Sequence, residues 1–467
     1  MPDVTAEGLP QTGAEIYPGE PQVELGRSLK SRHVAMIAIG GIIGAGLFVG
    51  SSASIAAVGP AVVLSYGLAG LLVLLVMRML SEMAVAIPGT QTFPDFARIG
   101  LGNWAGFLSG WLYCYFWVVV VAIEAIAGAV IIHGWIDLPV WSIGVALMAL
   151  LTAVNLMSTK SYGEFEFWLS SIKVAAIIAF IVIVGGAMFG NSHGGSVANL
   201  SAHGGFMPFG FKSVLAGITS VIFALTGAEI ATVAAAESAE PTKTVARMTG
   251  TVALRILIFY ILSMLLIVAT VPWTEIKPGI SPFATTLTAL GIPGAATMMT
   301  AVVLVAVLSC LNSGLYVTSR VLFGLAARGE APQALVRLNA RQVPARAIII
   351  ASLFSYGALA ASVLSPTVVF SFLVNASGAL MIIIYMLLAG AQISLRGRIE
   401  RDAPGSLQLR MWLFPWLSYA TVAGMTGVLI AMALSPDHAS ELYSSLLVVV
   451  VALAAYFVVR QRAVRTA

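Results

Sequence analysis

IAIGGIIGAGLFVGSS, which runs from Ile37 to Ser52, is apolar enough to lie in a membrane and yet contains five glycines. Each glycine in a helix interior costs about 1 kcal/mol relative to alanine. The stretch therefore predicts a membrane helix that opens near its middle, over residues 42–46. Unwound backbone is tolerated in a bilayer only where it faces protein or a watery cavity, because its polar groups have no partner in lipid. The break is therefore predicted to line a site.

A half-helix that begins again after such a break directs free N–H groups, and the positive end of its dipole, toward the site. This arrangement suits a carboxylate, and discontinuous helices near the midplane hold small charged solutes in many secondary transporters. The alternative is that the glycines only allow close packing between helices, as small residues do in membranes. Glycine spacing alone leaves both interpretations open.

The composition of the whole chain is that of an integral membrane protein. Of the 467 residues, 59% are hydrophobic and 9% are charged, whereas soluble domains carry about 25% charged residues. Apolar runs of about 20 residues recur along the chain with short polar breaks between them, which is typical of spanning helices. We count twelve such runs. The sequence therefore predicts an all-α integral membrane protein with twelve transmembrane helices.

Basic residues predict the orientation of the spans. With the N terminus inside, only Lys212 and Lys277 of the 24 Lys and Arg residues fall on the outer side, and Lys173 falls within a span. The positive-inside rule therefore places both termini in the cytoplasm. We predict a disordered tail over residues 1–31, a ten-helix transport core over residues 32–396, and two further helices with the C terminus over residues 397–467.

The first and sixth spans are both interrupted near their middle. The sixth contains FALTGAEIATVAAAES, in which Thr226, Gly227 and Glu229 interrupt the apolar run. An inverted five-plus-five repeat predicts this relation, because its two broken helices are five spans apart and cross at the pseudo-symmetry axis. The expected core is therefore an inverted repeat with broken helices 1 and 6.

Three ionisable residues lie deep within predicted spans and are candidates for proton coupling: Lys173, Glu124 and Glu229. Charges in mid-membrane are costly, so each is a functional hypothesis by default. Lys173, about eight residues into the fifth helix, has an alternative role, because its flexible stem can extend to the inner surface. If the amine is buried, its charged form is disfavoured and it can bind and release a proton. For Glu124 the alternative is a protonated side chain that joins neighbouring helices.

Four stretches resemble a known family. RHVAMIAIGGIIGAGLFVGSS, NLMSTKSYGEFEFW with the following Lys173, FALTGAEIATVAAAES and SCLNSGLYVTSRVLFGLAARGEAP are similar to bacterial amino acid permeases of the amino acid–polyamine–organocation superfamily. Within it, YGEFEFW, GGFMPFGF and LVNASGAL are most similar to the 4-aminobutyrate (GABA) permeases. The resemblance implies a LeuT-type fold in the bacterial cytoplasmic membrane. It also implies proton-coupled uptake of a small zwitterionic amino acid, GABA or a related ω-amino acid.

Residue roles follow from the same resemblance. The substrate carboxylate is expected at the first break and its amine against carbonyl groups of both broken helices, while Phe223 matches an aromatic gate and Lys173 a proton-coupling lysine. Ala45 departs from the Ser or Thr of many relatives, which removes a hydroxyl contact and fits a longer ω-amino acid. The expected substrate-binding residues are Ile42, Ile43, Gly44, Ala45, Gly46, Phe223, Ala224, Thr226 and Gly227.

Other functions match the sequence less well. A proton symporter or an exchanger for α-amino acids would share the fold and stays open. The chain lacks a Walker-type phosphate loop, its five histidines lie at predicted helix ends or in loops, and no Asp lies within a predicted span. Neither rings of charge nor the carbonyl filter of a channel is evident. We expect no enzyme activity, cofactor, bound metal or nucleic-acid partner, and the sequence predicts no oligomeric state.

Overall fold

The computed structural model describes residues 43–87, 92–157, 160–189, 197–227, 229, 252–339, 343–361, 363, 365–436 and 438–466. Within these residues the regular secondary structure is helical. Eight segments are long and apolar enough to cross a membrane, and three shorter apolar helices accompany them. One of the eight, Gly46–Ala86, contains both the first and the second span, so the described helices account for all twelve predicted spans. The all-α membrane fold is confirmed.

The spans are numbered in chain order. The first comprises a π-helical turn, Gly46–Gly50, and an α-helix, Ser51–Val58. The second to sixth are Val62–Ala86, Asn103–His133, Val140–Met157, Lys160–Phe189 and Gly210–Leu225. The seventh comprises a π-helical stretch, Ile256–Leu262, and an α-helix, Ser263–Thr270. The eighth to twelfth are Ala295–Ala327, Ala345–Ala361, Pro366–Asp402, Trp416–Ala433 and Ala439–Thr466.

The third span lies at the centre of the molecule. Nearly every side chain from Ala105 to Ala129 is buried, as expected of a helix that is apolar on all its faces. The span packs against the fourth, eighth, ninth and tenth spans. Glu124 lies on this central helix, so its carboxylate is held in the interior of the protein and not at its surface.

The sixth span is interrupted where the sequence predicts it. Its helix ends at Leu225, and Thr226 has extended backbone angles of φ −64° and ψ 149°. Gly227 follows with φ +107°, a conformation that glycine adopts readily because it has no Cβ. The helical run therefore stops between Leu225 and Glu229, and the predicted break in this helix is confirmed.

The first span is described from Ile43 onward. Ile43 and Gly44 are not helical, and the helix of the predicted outer half begins at the following residues, with Ala45 in the helical region of backbone angles. This start lies within the predicted break over residues 42–46. Ile42 and the predicted tail, residues 1–31, lie outside the described residues.

A short helix, Pro282–Ala289, packs against the first span from the predicted outer side. Its Phe283 ring lies 5.0 Å from the ring of Phe48, centre to centre, and 4.7 Å from the ring of Phe180 in the fifth span. Aromatic pairs at these separations add stabilisation beyond the apolar area that they bury. The short helix therefore links the π-helical turn to the fifth span.

A buried polar cluster joins the second, tenth and eleventh spans. Glu82 forms an ion pair with Arg396 and accepts hydrogen bonds from Gln392 Nε2 at 2.7 Å and from the Met411 N–H at 2.5 Å. The Gln392 amide oxygen accepts a further hydrogen bond from Ser418 at 3.0 Å. Both charges are buried, and Arg396 also pairs with the more exposed Glu400 at 2.7 Å. Removal of Arg396 therefore leaves the buried Glu82 without its ion-pair partner.

We expect Arg396→Ala to lower the free energy of unfolding by about 3–5 kcal/mol, the usual cost of an uncompensated buried charge. Arg401→Ala is the matched control, because Arg401 lies on the same helix but is exposed, and surface changes of this kind cost about 0.5 kcal/mol or less. The measurement is the fraction of monodisperse detergent-solubilised protein that remains after heating over a temperature series. Equal loss for the two variants would contradict this assignment.

Candidate functional site

The start of the first-span helix meets a carboxylate from the third span. The Ala45 N–H lies 3.0 Å from Oε1 and 3.0 Å from Oε2 of Glu124. N–H groups at a helix start have no intrahelical partner and carry partial positive charge, which stabilises an anion. The N–H group that the sequence analysis assigned to a substrate carboxylate is therefore bonded here to the protein's own carboxylate.

A cavity lies beside this contact, between the first, third, sixth and eighth spans. Its volume of about 20 Å³ is enough for roughly one water molecule. An amino acid is several times larger, so the lining must move apart before such a solute can enter. The lining residues are Gly46, Phe116, Trp117, Val120, Glu124, Phe223, Ala224, Thr226 and Cys310.

The close approach of the first and sixth spans depends on Gly46. A Cβ atom at this position would lie 2.9 Å from Cα of Ala224 and 3.0 Å from Cε1 of Phe223. The Phe223 ring in turn lies 6.2 Å from the ring of Phe116, centre to centre. The glycine in the first break thus lets the backbones of the two interrupted spans come together at the cavity, where Phe223 forms part of the wall.

The break in the sixth span is held by a second buried carboxylate. Glu229 accepts hydrogen bonds from the Gly227 N–H at 2.9 Å, from the Tyr113 hydroxyl at 3.2 Å and from the Tyr385 hydroxyl at 3.2 Å. These donors belong to the third, sixth and tenth spans. Glu229 therefore ties three helices together directly after the interruption.

A tyrosine from the seventh span satisfies one of the carbonyl groups that the break frees. The last carbonyls of a helix have no intrahelical partner and need another donor when they are buried. The Tyr260 hydroxyl donates to the Ala224 carbonyl oxygen at 3.0 Å. Backbone groups on both sides of the interruption are therefore hydrogen-bonded within the protein, the Ala224 carbonyl to Tyr260 and the Gly227 N–H to Glu229.

Lys173 lies in the interior with a counter-charge. Its Nζ is 3.6 Å from Oε1 of Glu166, and the two side chains are 0% and 1% exposed. Its positive charge also acts on Glu124 and on Cys310, and the Cys310 thiol is hydrogen-bonded to Glu124. The amine is therefore placed on the side of the Glu124 contact and does not extend to the surface.

The fifth helix begins earlier than the sequence analysis placed it. It starts at Lys160, so Lys173 lies thirteen residues, about 20 Å at 1.5 Å per residue, beyond the helix start. The expected depth was about eight residues. The predicted start of the fifth helix was therefore wrong, because the charged stretch before Trp168 is part of the helix and not a loop.

Four residues near the site were not among those predicted from the sequence: Glu166, Tyr113, Tyr385 and Cys310. Glu166 precedes Lys173 by seven residues, which is two helical turns and places both on one face; this spacing is the signal that could have identified it. Tyr113, Tyr385 and Cys310 lie inside apolar runs, where a lone polar side chain has no periodicity to reveal its partner. Their roles come from contacts between helices that are distant in sequence.

The arrangement suits binding and proton exchange. Two buried carboxylates, those of Glu124 and Glu229, accept hydrogen bonds from backbone N–H groups at the two interruptions, and the buried Lys173 amine acts on Glu124. Of the predicted site residues, the structure brings Gly46, Phe223, Ala224, Thr226 and Glu124 to one cavity. Among the described residues, no group of three or more His, Cys, Asp or Glu side chains is arranged to hold a metal ion.

We expect Gly46→Ala to lower the free energy of unfolding by about 1–3 kcal/mol, the usual cost of overpacking a tight site. Gly50→Ala is the matched control in the same π-helical turn, since the nearest atom to its new Cβ, the Ala45 carbonyl oxygen, is 3.5 Å away. Titration with SDS followed by circular dichroism measures both variants. An unchanged midpoint for Gly46→Ala would contradict the close approach of the two spans.

Several proteins of known name are similar to the chain over most of its length. The gamma-aminobutyric acid permease of Bacillus subtilis (strain 168) is 45% identical over 447 residues, which cover 95% of each protein. The gamma-aminobutyric acid permease of Escherichia coli (strain K12) is 43% identical over 90% of this chain and 91% of that protein. The aromatic amino acid transport protein AroP of Corynebacterium glutamicum is 36% identical over 90% of this chain and 92% of that protein.

Solved structures share the fold. A mutant of the manganese transporter from Eremococcus coleocola superposes with a TM-score of 0.56 over 98% of this chain and 100% of that chain, at 12% identity. The same transporter in complex with an aromatic bis-isothiourea compound gives a TM-score of 0.55 at 13% identity. At such identities the likeness concerns the helical architecture alone.

The sequence profile of one family matches nearly the whole chain. It is described as "Amino acid permease" and matches residues 33–466. This match and the relatives above confirm the family that the sequence stretches resemble, and they agree with a multi-pass membrane protein. The chain therefore belongs to the amino acid permease family, whose members are transporters and not enzymes.

Proposed function

We propose that the protein is a proton symporter that brings GABA or a related ω-amino acid into the cell by alternating access. The observation that supports this most is the contact between the Ala45 N–H and the Glu124 carboxylate, because it places an anion at the start of a half-helix beside the cavity. The two relatives named as gamma-aminobutyric acid permeases, at 45% and 43% identity, support the choice of substrate.

In this proposal the substrate carboxylate takes the place of the Glu124 carboxylate at the Ala45 N–H. Glu124 can yield that place when it binds a proton, because a neutral carboxyl group accepts hydrogen bonds from a helix start less strongly than a carboxylate does. The substrate amine then lies against carbonyl groups of the two breaks, those of Thr226 and Ile42. Ile43, Gly44, Gly46, Ala224 and Gly227 complete the proposed binding backbone.

Alternating access requires that the site be closed on one side at a time. Phe223 lines the cavity, and we assign it as the aromatic gate on the outer side. On the other side, the hydrogen bonds of Glu229 to Tyr113 and Tyr385 join three spans. Release toward the cytoplasm would require these bonds to separate, so protonation of Glu229 is proposed to accompany opening.

Proton coupling supplies the driving force. A membrane potential of about 100 mV is worth ~2.3 kcal/mol per proton, and one pH unit adds about 1.4 kcal/mol. One proton per zwitterion therefore supports accumulation of roughly several hundred-fold, since each 1.4 kcal/mol is a factor of about ten. Lys173, which is buried beside the Glu124 contact, is the proposed coupling residue, together with Glu124 and Glu229.

The proposed setting follows from the charge pattern of the sequence. The basic loops support a proposed orientation with both termini in the cytoplasm of a bacterial cell and the protein in the inner membrane. Residues 32–396 are proposed as the transport core, and residues 397–467 as two additional helices with the C-terminal end. Substrate, protons and bilayer lipid are the proposed partners.

A second candidate is symport or exchange of α-amino acids. The observation in its favour is the 36% identity to a protein named as an aromatic amino acid transporter. Ala45 weighs against it within the family resemblance, because this position lacks the hydroxyl group that many relatives carry. The two candidates differ in substrate, and an exchanger would also work without a proton gradient, so a single uptake assay separates them.

We expect purified protein in proteoliposomes to accumulate radiolabelled GABA when an acidic exterior is imposed. The assay uses a panel of α-, β- and γ-amino acids as competitors, and the expected order places γ-amino acids first. Liposomes without protein, and proteoliposomes with the gradient collapsed by a protonophore, are the controls. Preferential uptake of an aromatic or other α-amino acid would instead support the second candidate.

We expect Lys173→Ala to abolish accumulation driven by a pH gradient, because the amine that binds the coupling proton is removed. Lys212→Ala is the matched control, since Lys212 is exposed at the predicted outer end of the sixth span and donates to the Leu434 carbonyl oxygen. Uptake is measured as a function of external pH at fixed internal pH. Undiminished pH-driven uptake by the Lys173 variant would reject the coupling role.

A further inference from the structure

Glu166 is a buried charge that the proposed function leaves without a role. Its carboxylate lies 3.6 Å from the Lys173 amine, and neither side chain reaches the surface. Both residues lie on the fifth span, two helical turns apart. A surface ion pair of this kind would matter little, but burial makes the position and charge of each partner depend strongly on the other.

The carboxylate is anchored from a second helix. The Ser309 hydroxyl of the eighth span lies 2.7 Å from both oxygens of Glu166, and the Ser170 hydroxyl donates to Oε1 at 3.2 Å. Hydroxyl donors of this kind stabilise the ionised form of a carboxyl group. The hydrogen bonds also fix where the negative charge lies with respect to the amine.

The other groups that can titrate around Lys173 come from three spans. Glu124 of the third span and Cys310 of the eighth interact with its charge. Tyr260 of the seventh span is near Cys310, and its hydroxyl donates a hydrogen bond to the Ala224 carbonyl oxygen. Ser263–Thr270 and Pro282–Ala289, which also pack against the fifth span, carry no titratable side chain.

Lys173 therefore interacts with two carboxylates that have different surroundings. Glu124 is bonded to the helix start that is proposed to receive substrate, so its charge changes environment during the transport cycle. Glu166 is held by two serines away from the cavity lining. A fixed, buried negative charge on one side of an amine holds the amine in place, because neither charge can be separated from its partner without a large cost.

We propose that Glu166 is a positioning residue for proton coupling: its anchored carboxylate holds the Lys173 ammonium beside Glu124 and sets the external pH at which uptake is half-maximal. This inference rests on the proposed function, in which Lys173 binds the coupling proton. A purely structural role for Glu166 would lower the amount of folded protein without moving that pH.

The test is the pH profile of GABA uptake by full-length protein in proteoliposomes. For Glu166→Gln, which keeps the shape of the side chain but removes its charge, we expect the half-maximal pH to move toward acid by about one to three units. Glu166→Asp retains a carboxylate, so its half-maximal pH is expected to stay close to that of the unsubstituted protein. Glu330→Gln is the matched control and is expected to leave the half-maximal pH unchanged. Glu330 lies in the loop after the eighth span, and its carboxylate is paired with Arg98 at 2.5 Å.

Ser309→Ala provides a second variant if Glu166→Gln fails to fold. It keeps the charge but removes the anchor, so a smaller acid shift is expected. A half-maximal pH equal to that of the unsubstituted protein in either folded variant would overturn the inference. If the Glu166 and Ser309 variants leave the half-maximal pH unchanged while Lys173→Ala abolishes pH dependence, the proposed function stands without the role for Glu166. If Lys173→Ala also leaves the pH profile unchanged, the proposed coupling itself fails.

Discussion

Backbone N–H and C=O groups that leave a helix inside a bilayer must find partners within the protein, because lipid offers none. In this chain the requirement arises at the start of the first-span helix and at the end of the sixth. Glu124 accepts from the Ala45 N–H, Tyr260 donates to the Ala224 carbonyl, and Glu229 accepts from the Gly227 N–H. The central third span supplies a partner at each interruption: Glu124 accepts from the Ala45 N–H at the first, and Tyr113 donates to Glu229 at the second.

The buried carboxylates of Glu82, Glu124 and Glu229 are held in two different ways. Glu82 is paired with Arg396 and takes further hydrogen bonds from Gln392 and the Met411 N–H, which is how a permanent link between spans is built. Glu124 and Glu229 are held by backbone N–H groups and hydroxyls next to the breaks, with no arginine or lysine in a direct ion pair among the described contacts. Such carboxylates can change protonation state or partner at less cost, which suits groups in a transport cycle.

The closeness of the first and sixth spans explains why the cavity is small. Gly46 lets the two backbones approach, and Phe223 fills the space beside Ala224, which leaves about 20 Å³. A solute with a carboxylate and an amine would have to separate these segments and release Glu124 from Ala45. The same contacts that satisfy the freed backbone are therefore those that binding would exchange.

Local sequence determines the number of spans, the interruption at Thr226 and Gly227, and the family. Apolar run length, glycine content and short motifs each act within a single helix. The pairing of Ala45 with Glu124, 79 residues apart, and of Glu229 with Tyr113 and Tyr385 depends on how helices are rotated and crossed, which no local period encodes. Glu166 is the intermediate case: its spacing from Lys173 within one helix is visible in the chain, but Ser309, which anchors its carboxylate, comes from the eighth span. The packing of separate spans against one another therefore created the site, since Glu124 lies on a different helix from Ala45, and Tyr113 and Tyr385 lie on different helices from Glu229.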